Sequence, residues 1–205
     1  MRNRLLPLLA LTLISAAATS AIPPVAAQTS LNVPAATYTI DFKHTQILFS
    51  IRHMGLSTFF GRFGHVTGSL NFDPAAPEKS SLTAQIDMTN IQTHVEELDK
   101  ELVSSVFHAD KFPTATFTAT RSAKTGANTG TVEGNLTIAG VTKPVTLNVT
   151  FNGGRNSPIP LQPYRISFDA TTTVKRSDFG LTHTIWSGLV SDEVTLWIEC
   201  ELEKK

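Results

Sequence analysis

Any chemistry this chain performs must come from a small set of side chains. The histidines are His44, His53, His65, His94, His108 and His183, and the one cysteine is Cys200. No two histidines stand at the close spacing of a metal site, and one thiol cannot supply a soft ligand set. There is no Gly-x-Ser-x-Gly elbow, no Gly-rich phosphate loop ending in lysine, and no His-Glu-x-x-His. No convergent group of catalytic side chains can be named, so the reading is not an enzyme and assigns no catalytic residue and no metal. Recognition chemistry is better represented. His53 shares a strand face with Ile47, Phe49 and Ile51. It is either a core histidine with a satisfied partner or a contact to an oxygen of something inside. Arg176 and Asp178 stand where the longest strand enters a loop. They form either an ion pair that fixes the loop or a binding contact made by the guanidinium. Asp41 and His44 carry the same ambiguity.

The elements that must hold these residues are written in period two. Val132, Gly134, Leu136 and Ile138 alternate with Thr131, Glu133, Asn135 and Thr137. Gly140-Val141-Thr142-Lys143-Pro144 interrupts, and Val145, Leu147, Val149 and Phe151 resume. That is a β-hairpin with one buried face. Similar alternation predicts a short strand at Tyr38–Asp41 and longer ones at Gln46–Met54, Arg62–Phe72, Leu82–Met88, Thr114–Arg121, Tyr164–Val174 and Val194–Leu202. Parity slips inside Arg62–Phe72, and Gly64 is read as a β-bulge. Thr93 followed by Glu96 reads as a capping box, with a short amphipathic helix over Val95–Val103. A second helical turn is expected through Phe107 to Pro113, packing aromatic residues over the end of the sheet. Residues 152–163 read as a loop and 175–191 as a long connection. Trp197, on the outward parity of its strand, is expected to cover a neighbour.

The fold class is therefore all-β: an eight-stranded antiparallel extended barrel with a short helical insertion near residues 95–110. A two-sheet sandwich would alternate in the same way. Seventeen basic and seventeen acidic residues give a net charge of +0. That balance argues against a nucleic-acid partner. Arg2 and Arg4 precede an apolar run over Leu5–Ala18 that is too short to span a bilayer, and Val25-Ala26-Ala27 offers a cleavage site. Residues 1–27 read as a signal peptide, 28–36 as a flexible lead-in and 37–205 as the barrel domain, with no transmembrane span after cleavage. A lone cysteine in an exported chain rules out an internal disulfide, and Cys200 reads as a small buried apolar residue.

The order and spacing of several segments resemble the YceI-like family. They are Tyr38-Thr39-Ile40-Asp41 with His44, Phe49-Ser50-Ile51-Arg52-His53, and Gly61-Arg62-Phe63. Thr93 with Asp99, Leu102, Phe107, Phe112-Pro113 and Phe117 follow. Gly134–Ile138 with Gly140–Pro144, and Arg176-Ser177-Asp178-Phe179-Gly180 with Val194, complete the set. His108 and Thr45 are mild departures from the family pattern. The resemblance implies a lipocalin-like barrel in the periplasm that binds a polyisoprenoid lipid, such as an isoprenoid quinone or a prenyl phosphate, with no catalytic cofactor. On that reading the ligand lies against Ile47, Phe49, Ile51, Phe63, Ile86, Phe117, Leu136, Val149, Phe168, Leu196 and Ile198, with Leu82 beside them. His53, Arg176 and Asp178 serve its polar end, where Arg176 meets a phosphate or quinone oxygen. Small residues (Gly68, Ala84, Ala119, Gly134, Ala170) would leave the channel open. A filled core used only for interaction is the alternative, and an exposed barrel edge or an aromatic loop could support a homodimer.

Overall fold

The computed structural model describes residues 33–182 and 188–205. The signal peptide expected at 1–27, the first part of the lead-in and His183 lie outside the described residues. The alternating segments form ten strands: β1 Ala36–Ile40, β2 Gln46–His53, β3 Ser57–Arg62, β4 Val66–Phe72, β5 Ser81–Asp87, β6 Thr114–Lys124, β7 Thr129–Ile138, β8 Val141–Arg155, β9 Arg165–Lys175 and β10 Glu193–Lys204. One sheet takes them in the order β1-β4-β5-β6-β7-β8-β9-β10-β2-β3, and β1 returns to pair with β10. All pairings are antiparallel. β1 lies along the last residues of β10 (Ile40 opposite Leu202) and β2 along its earlier residues (Ile47 opposite Ile198). The two share one edge and form one bent stave. β4 and β3 pair with β1 and β2 in the same way and form the next stave. Ten strands thus make the eight staves of a closed barrel, as the alternation predicted, and closure excludes the sandwich.

Several local expectations are corrected. Arg62–Phe72 is not one bulged strand. It breaks over residues 63–65, and β3 before the break escaped notice because it carries a phenylalanine on each face. Phe59 points to the interior, while Phe60 meets Trp197 outside, with ring centroids 6.1 Å apart. Gly64 serves a close approach. A Cβ there would lie 2.7 Å from the Asn90 carbonyl oxygen and 2.8 Å from that of Asp87. Register shifts fall instead between Ala119 and Arg121 and between Phe151 and Gly153, so β8 continues to Arg155 into the expected loop. The β7–β8 turn is only Ala139-Gly140, both left-handed at φ 48° and 79°. Pro144 is tolerated within β8 because β9 joins that strand only from Asn148 onward, which leaves the Pro144 edge unpaired.

The insertion is α1 (Glu96–Glu101), which runs directly into a π-helical stretch at Leu102–Val106. A further turn follows within the expected Phe107 to Pro113 segment, where the backbone N–H groups of Lys111 and Phe112 both donate to the His108 carbonyl at 2.9 Å. The capping box does not form. Val95 is the cap, and Thr93 instead donates from its backbone N–H and its hydroxyl to Asp99 Oδ1, at 2.7 and 2.5 Å. Phe107 meets Phe63 edge-on at 5.9 Å, so aromatic residues do roof this end. At the other end the last residues of the lead-in are packed. Val33 is 5% exposed, and the Tyr38 hydroxyl donates to the Pro34 carbonyl at 2.7 Å.

The bend between β1 and β2 is held by charge. Arg165 Nη1 donates to Asp41 Oδ2 at 2.6 Å and to Glu201 Oε2 at 3.1 Å, and Nη2 pairs with Glu203. His44 Nδ1 lies 2.6 Å from the same Asp41 oxygen. Burial alone would push the Asp41 carboxyl up. Hydrogen bonds from His44, Arg165 and the Lys43 amide outweigh it and hold the group down at about 2, against an ordinary 3.8. A carboxylate depressed on folding stabilises the fold fully above its unfolded value and loses that contribution as pH falls through the folded value. Denaturant melts followed by circular dichroism should therefore lose stability between pH 3.8 and about 2. Asp41→Asn should be less stable than the parent above that window and converge with it below.

Candidate functional site

The inward faces of the staves do not meet. Three cavities follow one another through the barrel. The widest, about 320 Å³, lies under the helical insertion. A middle one of about 150 Å³ follows, and a third of about 190 Å³ opens at the opposite end. Phe63, Ile138 and Leu196 belong to the walls of both the wide and the middle cavity. Leu82, Val132, Val149, Phe168 and Cys200 are shared by the middle and far cavities. Neighbouring cavities are thus separated by a few apolar side chains, and the middle one exposes apolar surface alone.

The hollow survives among so many aromatic residues because of where the rings lie. A Cβ on Gly61 would sit 2.3 Å from Phe49 Cζ, and one on Gly134 would sit 2.4 Å from Phe117 Cζ. Each ring therefore rests on the bare backbone of a neighbouring strand and follows the wall instead of crossing the axis. This corrects the expected role of the small residues. Gly134 gives its space to Phe117, and Gly68 presses on the Thr83 carbonyl, where a Cβ would be 2.1 Å away. Gly68, Ala119 and Gly134 line none of these three cavities, whereas Ala84 and Ala170 do line the middle one.

Of the residues proposed from sequence, Ile47, Ile86, Phe117, Leu136 and Ile198 line the middle cavity. Phe49, Ile51, His53 and Arg176 line the wide one. Phe63 and Leu196 face both of these, and Val149 and Phe168 face the middle and far cavities. Asp178 lines none. It is exposed on the 3-10 turn Arg176–Phe179, and no ion pair joins it to Arg176 among the described residues. The loop is fixed differently: the backbone N–H and hydroxyl of Ser177 donate to Asp192, at 3.0 and 2.7 Å. Sequence reasoning expected aromatic residues over this end, which Phe107 supplies, but did not place Leu98, Leu102, Val106, Phe179 or Leu181 on the cavity wall. The stripe Val95, Leu98, Leu102 was legible as an apolar helix face, but nothing in it says which opening the helix covers. At the far end Phe72, Phe151 and Phe168 stack with centroids 4.9–5.6 Å apart, and Phe72 was not foreseen as lining.

Polar groups are few. Arg176 Nε donates to the Ser191 carbonyl at 3.1 Å and Nη1 to the Leu181 carbonyl at 2.8 Å, while Nη2 has no partner among the described residues. The guanidinium is thus anchored by two edges at the wide cavity and keeps one edge to offer. The His53 ring is half-buried on the same wall and has no hydrogen-bond partner among the described residues. Burial raises the Cys200 thiol to about 11, which leaves it an apolar wall group and a poor nucleophile. Asp41, His44 and Glu201 lie close enough to hold a metal, but Arg165 already stands among them as their counter-ion.

A closed eight-stave barrel with a hollow apolar interior belongs to the lipocalin-like class of architectures. Comparison with known proteins narrows it. The model of the YceI-like domain matches residues 38–202, and the chain belongs to that family. A UPF0312 protein of Yersinia enterocolitica is 40% identical over 170 residues, 82% of this chain and 86% of its own length. The crystal structure of BcnA from Burkholderia cenocepacia matches with TM-score 0.70 at 25% identity, covering 79% of this chain and 98% of that one. A polyisoprenoid binding domain from Saccharophagus degradans, implicated in plant cell wall breakdown, matches with TM-score 0.63 at 18% identity, covering 82% and 98%. At that identity it reports on the fold.

Ala170→Leu tests whether the middle cavity is empty. In lipid-free protein the added methyl groups enter open apolar space, and stability should stay within about 1 kcal/mol of the parent or rise. In a filled core the same change would cost about 1–3 kcal/mol in a denaturant melt.

Proposed function

We propose that this protein is an exported, periplasmic lipid-binding barrel that holds a polyisoprenoid chain in its interior, as carrier, store or sensor. The observation that carries this reading is the row of three cavities with shared walls. Its shape suits an extended apolar chain rather than a compact metabolite. Each buried CH₂ contributes about 0.8 kcal/mol, so a chain of about 15 outweighs the usual cost of association. The free edge of Arg176, with His53 beside it, suits the oxygen of a quinone or a prenyl phosphate at the wide end. A neighbour of the same fold is named for polyisoprenoid binding, and the leader read at residues 1–27 supports export. No catalytic step is assigned.

The test is to purify the mature protein from its export compartment without detergent, extract it with organic solvent and weigh the extract by mass spectrometry. A stoichiometric isoprenoid is expected. Arg176→Met and His53→Ala should keep the far-ultraviolet spectrum and retain at least about tenfold less of a lipid with an oxygenated head. A clean extract that stays clean after incubation with membrane lipids would overturn the reading.

A further inference from the structure

The β2–β3 hairpin ends in Met54-Gly55-Leu56, between the paired residues His53 and Ser57. Met54 is 58% exposed and Leu56 is 80% exposed. Beside them lies Leu189, also exposed, tied in by the bridge between His53 and Val190 and by the Met54 N–H donating to the Leu189 carbonyl at 2.6 Å. The tip is braced from below. Arg52 spends its guanidinium on the Gly55 carbonyl at 2.8 Å and the Thr58 hydroxyl at 2.9 Å. Met54 holds φ 51°, a left-handed position that Asn, Asp or Gly fills at lower cost. An apolar side chain is thus placed in water, on a rigid tip, where a turn-forming residue would suit the fold better. The chain neighbours of these exposed residues, His53, Ser57 and Val190, line the wide cavity. The apolar tip and the cavity wall are therefore continuous along the chain.

We infer that the Met54–Leu56 tip, with Leu189, is a bilayer-docking element through which a lipid passes between a membrane and the wide cavity. The inference rests on the reading that the barrel takes a lipid. A bilayer fits because a ligand with a long apolar chain is drawn from one, and a tip that enters it spares that chain a passage through water. Charge plays little part. Among the described residues the cation at the tip, Arg52, is engaged in bracing it, and the helical roof of the same cavity carries Glu96, Glu97 and Glu101 against the single Lys100. An uncharged, zwitterionic surface fits this better than an anionic one.

The experiment is flotation of the mature protein with phosphatidylcholine vesicles that contain no isoprenoid. Met54→Asn with Leu56→Ser preserves the turn and should lower the vesicle-bound fraction at least about tenfold, since it withdraws both apolar side chains from the interface. Ile159→Ser with Leu161→Ser removes two exposed apolar residues from a different loop, neither of which lines any of the three cavities, and should float like the parent. Binding should hold from about 0.1 M to about 0.5 M salt. Failure of the parent to float, equal loss in both double variants, no loss in the tip variant, or release by salt would each overturn the inference. Flotation that depends on the tip, in a protein whose solvent extract is clean, would keep the docking element and remove the isoprenoid reading, so the two fail separately.

Discussion

Closure of the sheet is the constraint on which everything else here depends. A ladder of alternating strands has two edges and two faces, and nothing in it encloses space. When β1 returns to the end of β10, the edges disappear and one face of every stave is turned inward. Strand number then sets the interior, whatever side chains happen to fill it. Closure has its own requirement, because the first stave must bend between β1 and β2 to follow β10. The Asp41–Arg165 ion pair, with Glu201, Glu203 and His44 around it, sits at that bend and joins it to β9 and β10. Charge on the outside of the barrel thus fixes the geometry of an inside that contains almost none.

The interior shows how a chain rich in phenylalanine avoids filling its own core. Phe49 and Phe117 settle over glycines of adjacent strands, so their area is buried against backbone and the axis stays open. The second stave breaks after β3, and among the described residues no strand pairs with the outer edge of β3, which is met by the bridge from Arg62 to Gln92. The helical insertion covers this gap with side chains alone. The largest of the three cavities, the exposed tip and Arg176 all lie at this less regular end, and the far cavity opens beside the ring cluster of Phe72, Phe151 and Phe168.

Much of this was written in the sequence because period two is a direct record of which residues share a face. The parity of Ile47, Phe49 and Ile51, or of Leu196 and Ile198, sufficed to place them on the inner wall. The readings that failed involve information that alternation does not carry. β3 has apolar residues on both faces, so it shows no alternation. Gly134 and Ala170 look equivalent as small inward residues, yet one is covered by a cross-strand ring and the other is not. Asp178 is two residues from Arg176, a natural pairing in sequence, but the 3-10 turn sends it to the outside while Arg176 finds the Leu181 carbonyl just past that turn and the Ser191 carbonyl before the last strand. The helix was legible, but the hole it covers exists only after the barrel closes.

The central claim is that the three cavities act as one passage for one extended chain. A crystal structure of protein purified without detergent, with its native contents, tests it most directly. The account predicts a single elongated density that starts beside Arg176, passes between Phe63, Ile138 and Leu196, and reaches the ring cluster of Phe72, Phe151 and Phe168. Side chains collapsed across the axis, or density confined to one cavity with the walls shut on either side, would contradict it.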